Sequence, residues 1–187
     1  MAKPRDIRSG SFIRHNGELC QIMEIQHRTP GNLRAFYQAK MRNVKTGKQT
    51  EYRYNADEDV NVVRVETREL QYLYEEGDAF VCMDNESFEQ LSIGKELFGI
   101  GAKFMKEGDT IIASFEGELV IGAQAPESTV LEITYTEPGL RGDTATNTLK
   151  PATLETGAQI MIPLFCDIGD KVKIDTRTGE YMERVKG

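Results

Sequence analysis

Gly108-Asp109 and Gly169-Asp170 stand 61 residues apart, and each opens the same phrase in the sequence. Each pair is followed by an alternating run, 110–115 or 171–175, and then by a second glycine turn, Gly117-Glu118 or Gly179-Glu180. A further short run begins at Leu119-Val120 or Tyr181-Met182. Strand, tight turn and strand, repeated at one period, imply two homologous β-units of about 60 residues each. The Gly-Asp pairs themselves read as turn chemistry rather than as ligand sites, because glycine supplies the backbone freedom and aspartate bonds locally to the main chain.

The rest of the chain is punctuated in the same way. Asn16-Gly17, Gly47, Gly77-Asp78 and Gly108-Asp109 separate short runs of strand character, and no long stretch has helical period. Short helical turns are expected only at 87–91 and around 94–98. The reading is an all-β chain of small barrels or sandwiches in three modules, 1–64, 65–126 and 127–187.

Charge separates these modules. Residues 1–64 carry 12 Lys+Arg and 7 Asp+Glu, whereas residues 65–126 carry 4 and 13, and residues 127–187 carry 7 and 10. The net charge of −7 therefore conceals a basic first module, which is the part suited to a polyanion.

Within that module, residues 28–36 (Arg-Thr-Pro-Gly-Asn-Leu-Arg-Ala-Phe) break two strand-like runs. Met23 and Ile25 are expected on one face with Glu24 on the other. After the break, Lys40 and Arg42 share one side of the strand. Pro30-Gly31 predicts a hairpin with an exposed tip bearing Asn32 and Arg34. Such a tip suits a nucleic-acid backbone or end; the alternative is a solvated hairpin with ordinary surface charges.

The chemistry of an enzyme is missing from the pattern. His15 and His27 stand apart, with no cysteine or carboxylate at metal-ligand spacing, and read as surface or strand-end residues. Asp57-Glu58-Asp59 reads as a solvated turn, and the glycines at 94, 99 and 101 lack a strand-to-helix phosphate loop. Cys20, Cys82 and Cys166 lie in apolar contexts, as buried thiols of a reducing compartment do. No apolar run is long enough for a membrane span and no signal-peptide core opens the chain, so a cytoplasmic monomer without cofactor, metal or membrane partner is expected.

Pro30-Gly31, Ala35-Phe36, the run 40–47, the run 80–84 and the long C-terminal blocks 138–145, 150–157, 162–165 and 175–181 together resemble bacterial translation elongation factor P along the whole length. The resemblance implies an SH3-like (KOW-like) domain followed by two OB-folds, L-shaped with a tRNA-like outline. It implies a non-enzymatic factor that binds the 70S ribosome between the peptidyl and exit tRNA sites. There it steadies the CCA end of peptidyl-tRNA and relieves stalling at consecutive prolines. On the matched positions, Pro30, Gly31, Asn32, Leu33 and Arg34 contact the CCA end, and Lys40 and Arg42 face RNA, including rRNA, from the hairpin stem. Gly142, Asp143 and Thr144 match a loop that approaches the exit-site codon of the mRNA. Arg177, Tyr181 and Arg184 match residues on the small-subunit side.

One departure stands at the tip. The family commonly carries Lys or Arg directly after Pro-Gly and extends that side chain enzymatically; here the position is Asn32, followed by Leu33 in place of a small residue. Arg34, two positions on, is expected to restore that charge, either unmodified or as the residue that an enzyme extends instead. Two other readings are an elongation-factor-P-like paralogue serving different stalling motifs, and a general single-strand RNA binder built from OB-folds.

Overall fold

The structure is a computed structural model that describes residues 1–139 and 149–186. Its strands are β1 (Phe12–His15), β2 (Glu18–Arg28), β3 (Phe36–Asn43), β4 (Gln49–Asn55), β5 (Asn61–Val63), β6 (Glu66–Glu76), β7 (Ala79–Asp84) and β8 (Gln90–Gly94). They continue with β9 (Thr110–Glu116), β10 (Leu119–Gln124), β11 (Ser128–Thr136), β12 (Leu149–Leu154), β13 (Gln159–Pro163), β14 (Lys171–Asp175) and β15 (Glu180–Val185). Three five-stranded sheets form, in the orders β4-β3-β2-β1-β5, β10-β9-β6-β7-β8 and β13-β12-β11-β14-β15. The all-β expectation holds.

By compactness the chain divides into two units, Met1–Thr67 with Ser114–Ile121, and Arg68–Ala113 with Gly122–Gly187. In the first unit, Ile13, Cys20, Ile22, Ala39, Met41 and Tyr54 are the buried, inward-facing positions of β1 to β4. The alternation expected for β2 slips by one residue. A bulge between Ile22 and Glu24 leaves Met23 exposed, so that Ile22 and Ile25, not Met23 and Ile25, face the core. His15 ends β1 and is held by its neighbours: Tyr54 Oη lies 3.0 Å from its Nδ1, and the Tyr52 ring packs edge-on with centroids 4.5 Å apart.

In the second unit, the Gly-Asp phrase is one hydrogen-bond motif used twice. Tyr72 N–H donates to the Asp109 carbonyl at 2.9 Å, and Ile133 N–H donates to the Asp170 carbonyl at 2.9 Å. Gly108 N–H returns to Tyr72 and Gly169 N–H returns to Ile133. The Asp109 carboxylate accepts from Lys106 N–H at 2.8 Å, and the Asp170 carboxylate from Asp167 N–H at 2.9 Å. Gly108 and Gly169 take φ of 94° and 90°, a region that side chains resist.

The expected helix at 87–91 does not form. Asp84 Oδ1 accepts from the N–H of Glu86 and Ser87, which closes a turn, and Gln90 is already in β8. The expectation around 94–98 is met by a 3-10 segment, Lys95–Phe104, broken at Gly99. That segment delivers Phe104 into the core of the third sheet, beside Leu131, Ile133, Leu154 and Ile174. Thr156 Oγ1 fixes its end by donating to the Lys103 carbonyl at 2.7 Å. All three cysteines are free and buried.

Candidate nucleic-acid interface

The hairpin of the basic module is built by β2 and β3, paired from Cys20 with Asn43 out to Arg28 with Phe36. The strands stop at Arg28 and resume at Phe36, leaving 29–35 as the tip. There, Leu33 N–H donates to the Pro30 carbonyl at 3.2 Å, which closes a turn with Gly31 and Asn32 at its centre. Asn32, Leu33 and Arg34 are exposed, Leu33 at 70%. Leu33 is thus an apolar side chain held largely in solvent at the tip.

Strand alternation puts Phe36, Gln38, Lys40 and Arg42 on one face of β3. On β2 their cross-strand partners are Arg28, Gln26, Glu24 and Gln21, and on β4 they are Asn55, Arg53, Glu51 and Gln49. This outer face is a polar lattice. Arg28 Nη2 donates to Gln26 Oε1 at 2.9 Å, Gln26 donates to Glu24, and Gln38 Nε2 donates to Glu51 Oε2 at 2.8 Å. The Arg53 guanidinium lies over the Phe36 ring, 3.7 Å from its centroid. A shallow depression lined by Glu24, Gln26, Arg28, Gln38, Lys40 and Glu51 runs across the middle.

The two stem residues marked by the sequence are not equivalent. Lys40 Nζ lies 3.6 Å from Glu24 and 3.8 Å from Glu51, so two carboxylates offset its charge. Arg42 is exposed and has no ion pair among the described residues. Arg53 was missed by sequence reasoning. It lies one strand beyond the hairpin, and only the β3–β4 register, with Gln38 opposite Arg53, brings it beside the stem. Its signal was the two-residue spacing of Glu51, Arg53 and Asn55 after a strand whose alternate residues are basic.

Gly142, Asp143 and Thr144 lie outside the described residues. Arg177, Tyr181 and Arg184 all sit on the β14–β15 hairpin. Arg177 grips Asp175 with Nε at 3.2 Å and Nη2 at 3.1 Å. That side-chain bond holds the Asp175 carboxyl below the usual carboxylate range and raises Arg177. Tyr181 is half-buried against the third core, and burial, then the neighbouring Cys166, pushes its phenol upward. Arg184 lies over the Phe165 ring at 5.1 Å, with Nη1 3.6 Å from Asp170. Among the described residues, no group of three His, Cys, Asp or Glu side chains is arranged to hold a metal ion. No helix there is long and apolar enough to cross a membrane.

Three sheets of this order, the first carrying a basic hairpin, define an all-β protein of small sheet modules. Two solved structures match the fold: a eukaryotic translation initiation factor 5A from Methanococcus jannaschii (TM-score 0.51, 18% identity, 67% of this chain and 92% of that one) and a translation initiation factor eif-5a family protein from Naegleria fowleri (TM-score 0.54, 15% identity, 66% and 96%). Three family models match in sequence. They are the elongation factor P KOW-like domain over residues 4–60, the elongation factor P OB domain over 65–123, and the elongation factor P C-terminal domain over 129–184. Curated relatives named elongation factor P include one from Chloroflexus aggregans, 49% identical over 182 residues and 96% of each chain, and one from Roseiflexus castenholzii, 46% identical over the whole of both. The chain belongs to the elongation factor P family, and is a translation elongation factor acting on the ribosome.

Proposed function

We propose that this chain binds the ribosome between the peptidyl and exit tRNA sites and stimulates peptide-bond formation where consecutive prolines stall it. The observation that carries the reading is the turn closed from Pro30 to Leu33, exposed from Gly31 onward, with Arg34 beside it and Arg28, Arg42 and Arg53 on the stem below. Proline's ring restricts the geometry of attack, and a factor that holds the CCA end of the peptidyl-tRNA in one orientation removes part of the entropic barrier to reaction. The reacting groups belong to the ribosome and its tRNAs; this chain positions and does not catalyse. It acts in the cytoplasm as a monomer of three domains, 1–64, 65–126 and 127–187, one for each sheet.

At the tip, Asn32 has neither an amine nor a guanidinium for an enzyme to extend. The factor works unmodified, with Arg34 and the backbone N–H groups of the turn as anion donors. Gly142, Asp143 and Thr144 approach the exit-site codon, and the β14–β15 hairpin carries Arg177, Tyr181 and Arg184 to the small subunit. Translation of a Pro-Pro-Pro reporter with purified components tests the reading. Arg34→Ala is expected to impair synthesis far more than Asn32→Ala, and equal activity of Arg34→Ala and the parent overturns the role of Arg34. Intact mass of the protein from its native cell checks that the tip is unmodified.

A further inference from the structure

The hairpin arm has a second face, and its chemistry differs from that of the first. Opposite the cationic lattice, the same strands present His27 on β2 and Tyr37 on β3, a directly paired cross-strand couple. Their rings are stacked, with centroids 4.6 Å apart and planes 25° from parallel. Tyr37 packs its inner side against the first core, next to buried Tyr54 across the strand pair, and so is fixed from below. His27 lies on top and is exposed. Its imidazole is thus held flat by a supported ring, with its outer side available, two strand positions from the turn.

We propose that the His27–Tyr37 pair is a stacking platform for one unpaired RNA base, on the reverse side of the arm from the cations that hold the backbone. This rests on the reading that the hairpin contacts RNA. Single-stranded nucleic acid is held by just this pairing of an electropositive track with flat rings on which bases stack without sequence preference. Arg28 follows His27 directly and projects to the opposite face, as do Gln38 and Phe36 on either side of Tyr37. A strand that runs past the edge of the arm therefore meets a guanidinium with its phosphate and the imidazole with its base. The His15, Tyr52 and Tyr54 rings do not offer the same platform, because they pack edge-on against one another.

The probe is an RNA minihelix with a short single-stranded 3′ end carrying 2-aminopurine, whose fluorescence is quenched by stacking. With the full chain, quenching is expected on binding. His27→Phe keeps a flat ring and is expected to retain both quenching and affinity. His27→Ala is expected to lose the quenching and about 5- to 150-fold in affinity, the range for one base–ring stack, with the salt dependence unchanged. Unchanged quenching and affinity in His27→Ala overturn the platform. If Arg42→Ala and Arg53→Ala weaken binding while His27→Ala does not, the platform falls and the RNA reading stands. If the parent fails to bind the minihelix at all, both fall. Circular dichroism of each variant, matching the parent, separates a binding defect from a folding defect.

Discussion

The Arg53 guanidinium carbon lies 3.7 Å from the centroid of the Phe36 ring, the first stem residue after the tip. The pair crosses diagonally from β4 to β3, since Arg53 is opposite Gln38 and Phe36 is opposite Asn55. It presses a cation against the root of the hairpin tip without neutralising it. Lys40, on the same face, is treated in the opposite way, between two carboxylates.

That difference predicts unequal roles in RNA binding. Arg42→Ala and Arg53→Ala should each weaken binding to tRNA and reduce the slope of log affinity against log salt by about 0.7–0.9 for each phosphate no longer neutralised. Lys40→Ala should change the slope less, and Glu24→Gln with Glu51→Gln should strengthen binding. Fluorescence anisotropy over a potassium chloride series reads all of these variants. A larger slope change for Lys40→Ala than for Arg42→Ala would contradict the pairing argument.

In the second unit, the side chains that join the Lys95–Phe104 segment to the third core should dominate stability. Leu131 is fully buried, and Leu131→Ala should cost about 2–5 kcal/mol; Phe104→Ala should cost about 3–5 kcal/mol. Urea unfolding should show the midpoint falling with an unchanged slope for Leu131→Ala. A Phe104→Ala protein as stable as the parent would mean that the segment is not held by its ring.

The doubled Gly-Asp motif makes a third expectation. Gly108→Ala and Gly169→Ala each force a side chain into positive φ, where nothing crowds the new Cβ, so the penalty is backbone strain alone. About 1–2 kcal/mol is expected for each. The two turns are built from separate bonds, and the double variant should sum the single effects. Thermal melts of the three proteins decide it.

Alkaline pH should loosen the second unit. Burial pushes the Cys82 thiol up to about 11, and burial, then Glu75, pushes the Tyr72 phenol up to about 12. Both folded-state values lie above those of the unfolded chain, so this stability is fully present below about pH 9 and is lost as pH rises through 11 to 12. The melting temperature should fall between about pH 9 and pH 12, and Cys82→Ala should shallow the lower part of the fall. The same burial keeps the thiol from reacting with a disulfide reagent until the chain unfolds. Rapid labelling of Cys82 in the native protein would show that it is open.

Local order is written in the chain, because a period of two and glycine turns act over a few residues. The hairpin with its tip at 29–35, the two Gly-Asp phrases and the buried cysteines are all legible there. So is the family resemblance, since ordered motifs are a linear property. Met23 is misplaced by the alternation, because one bulged residue shifts the pattern and leaves no compositional mark. Residues 87–91 read as helix because the Asp84 carboxylate that closes the turn lies three residues upstream of the segment. Which side chains share a face is a matter for the folded sheet. Register across three strands puts Arg53 beside the stem, sets Glu24 and Glu51 against Lys40, and lays His27 on Tyr37. In the hairpin, charge is visible in the chain, but which charges remain free is fixed by pairing across strands.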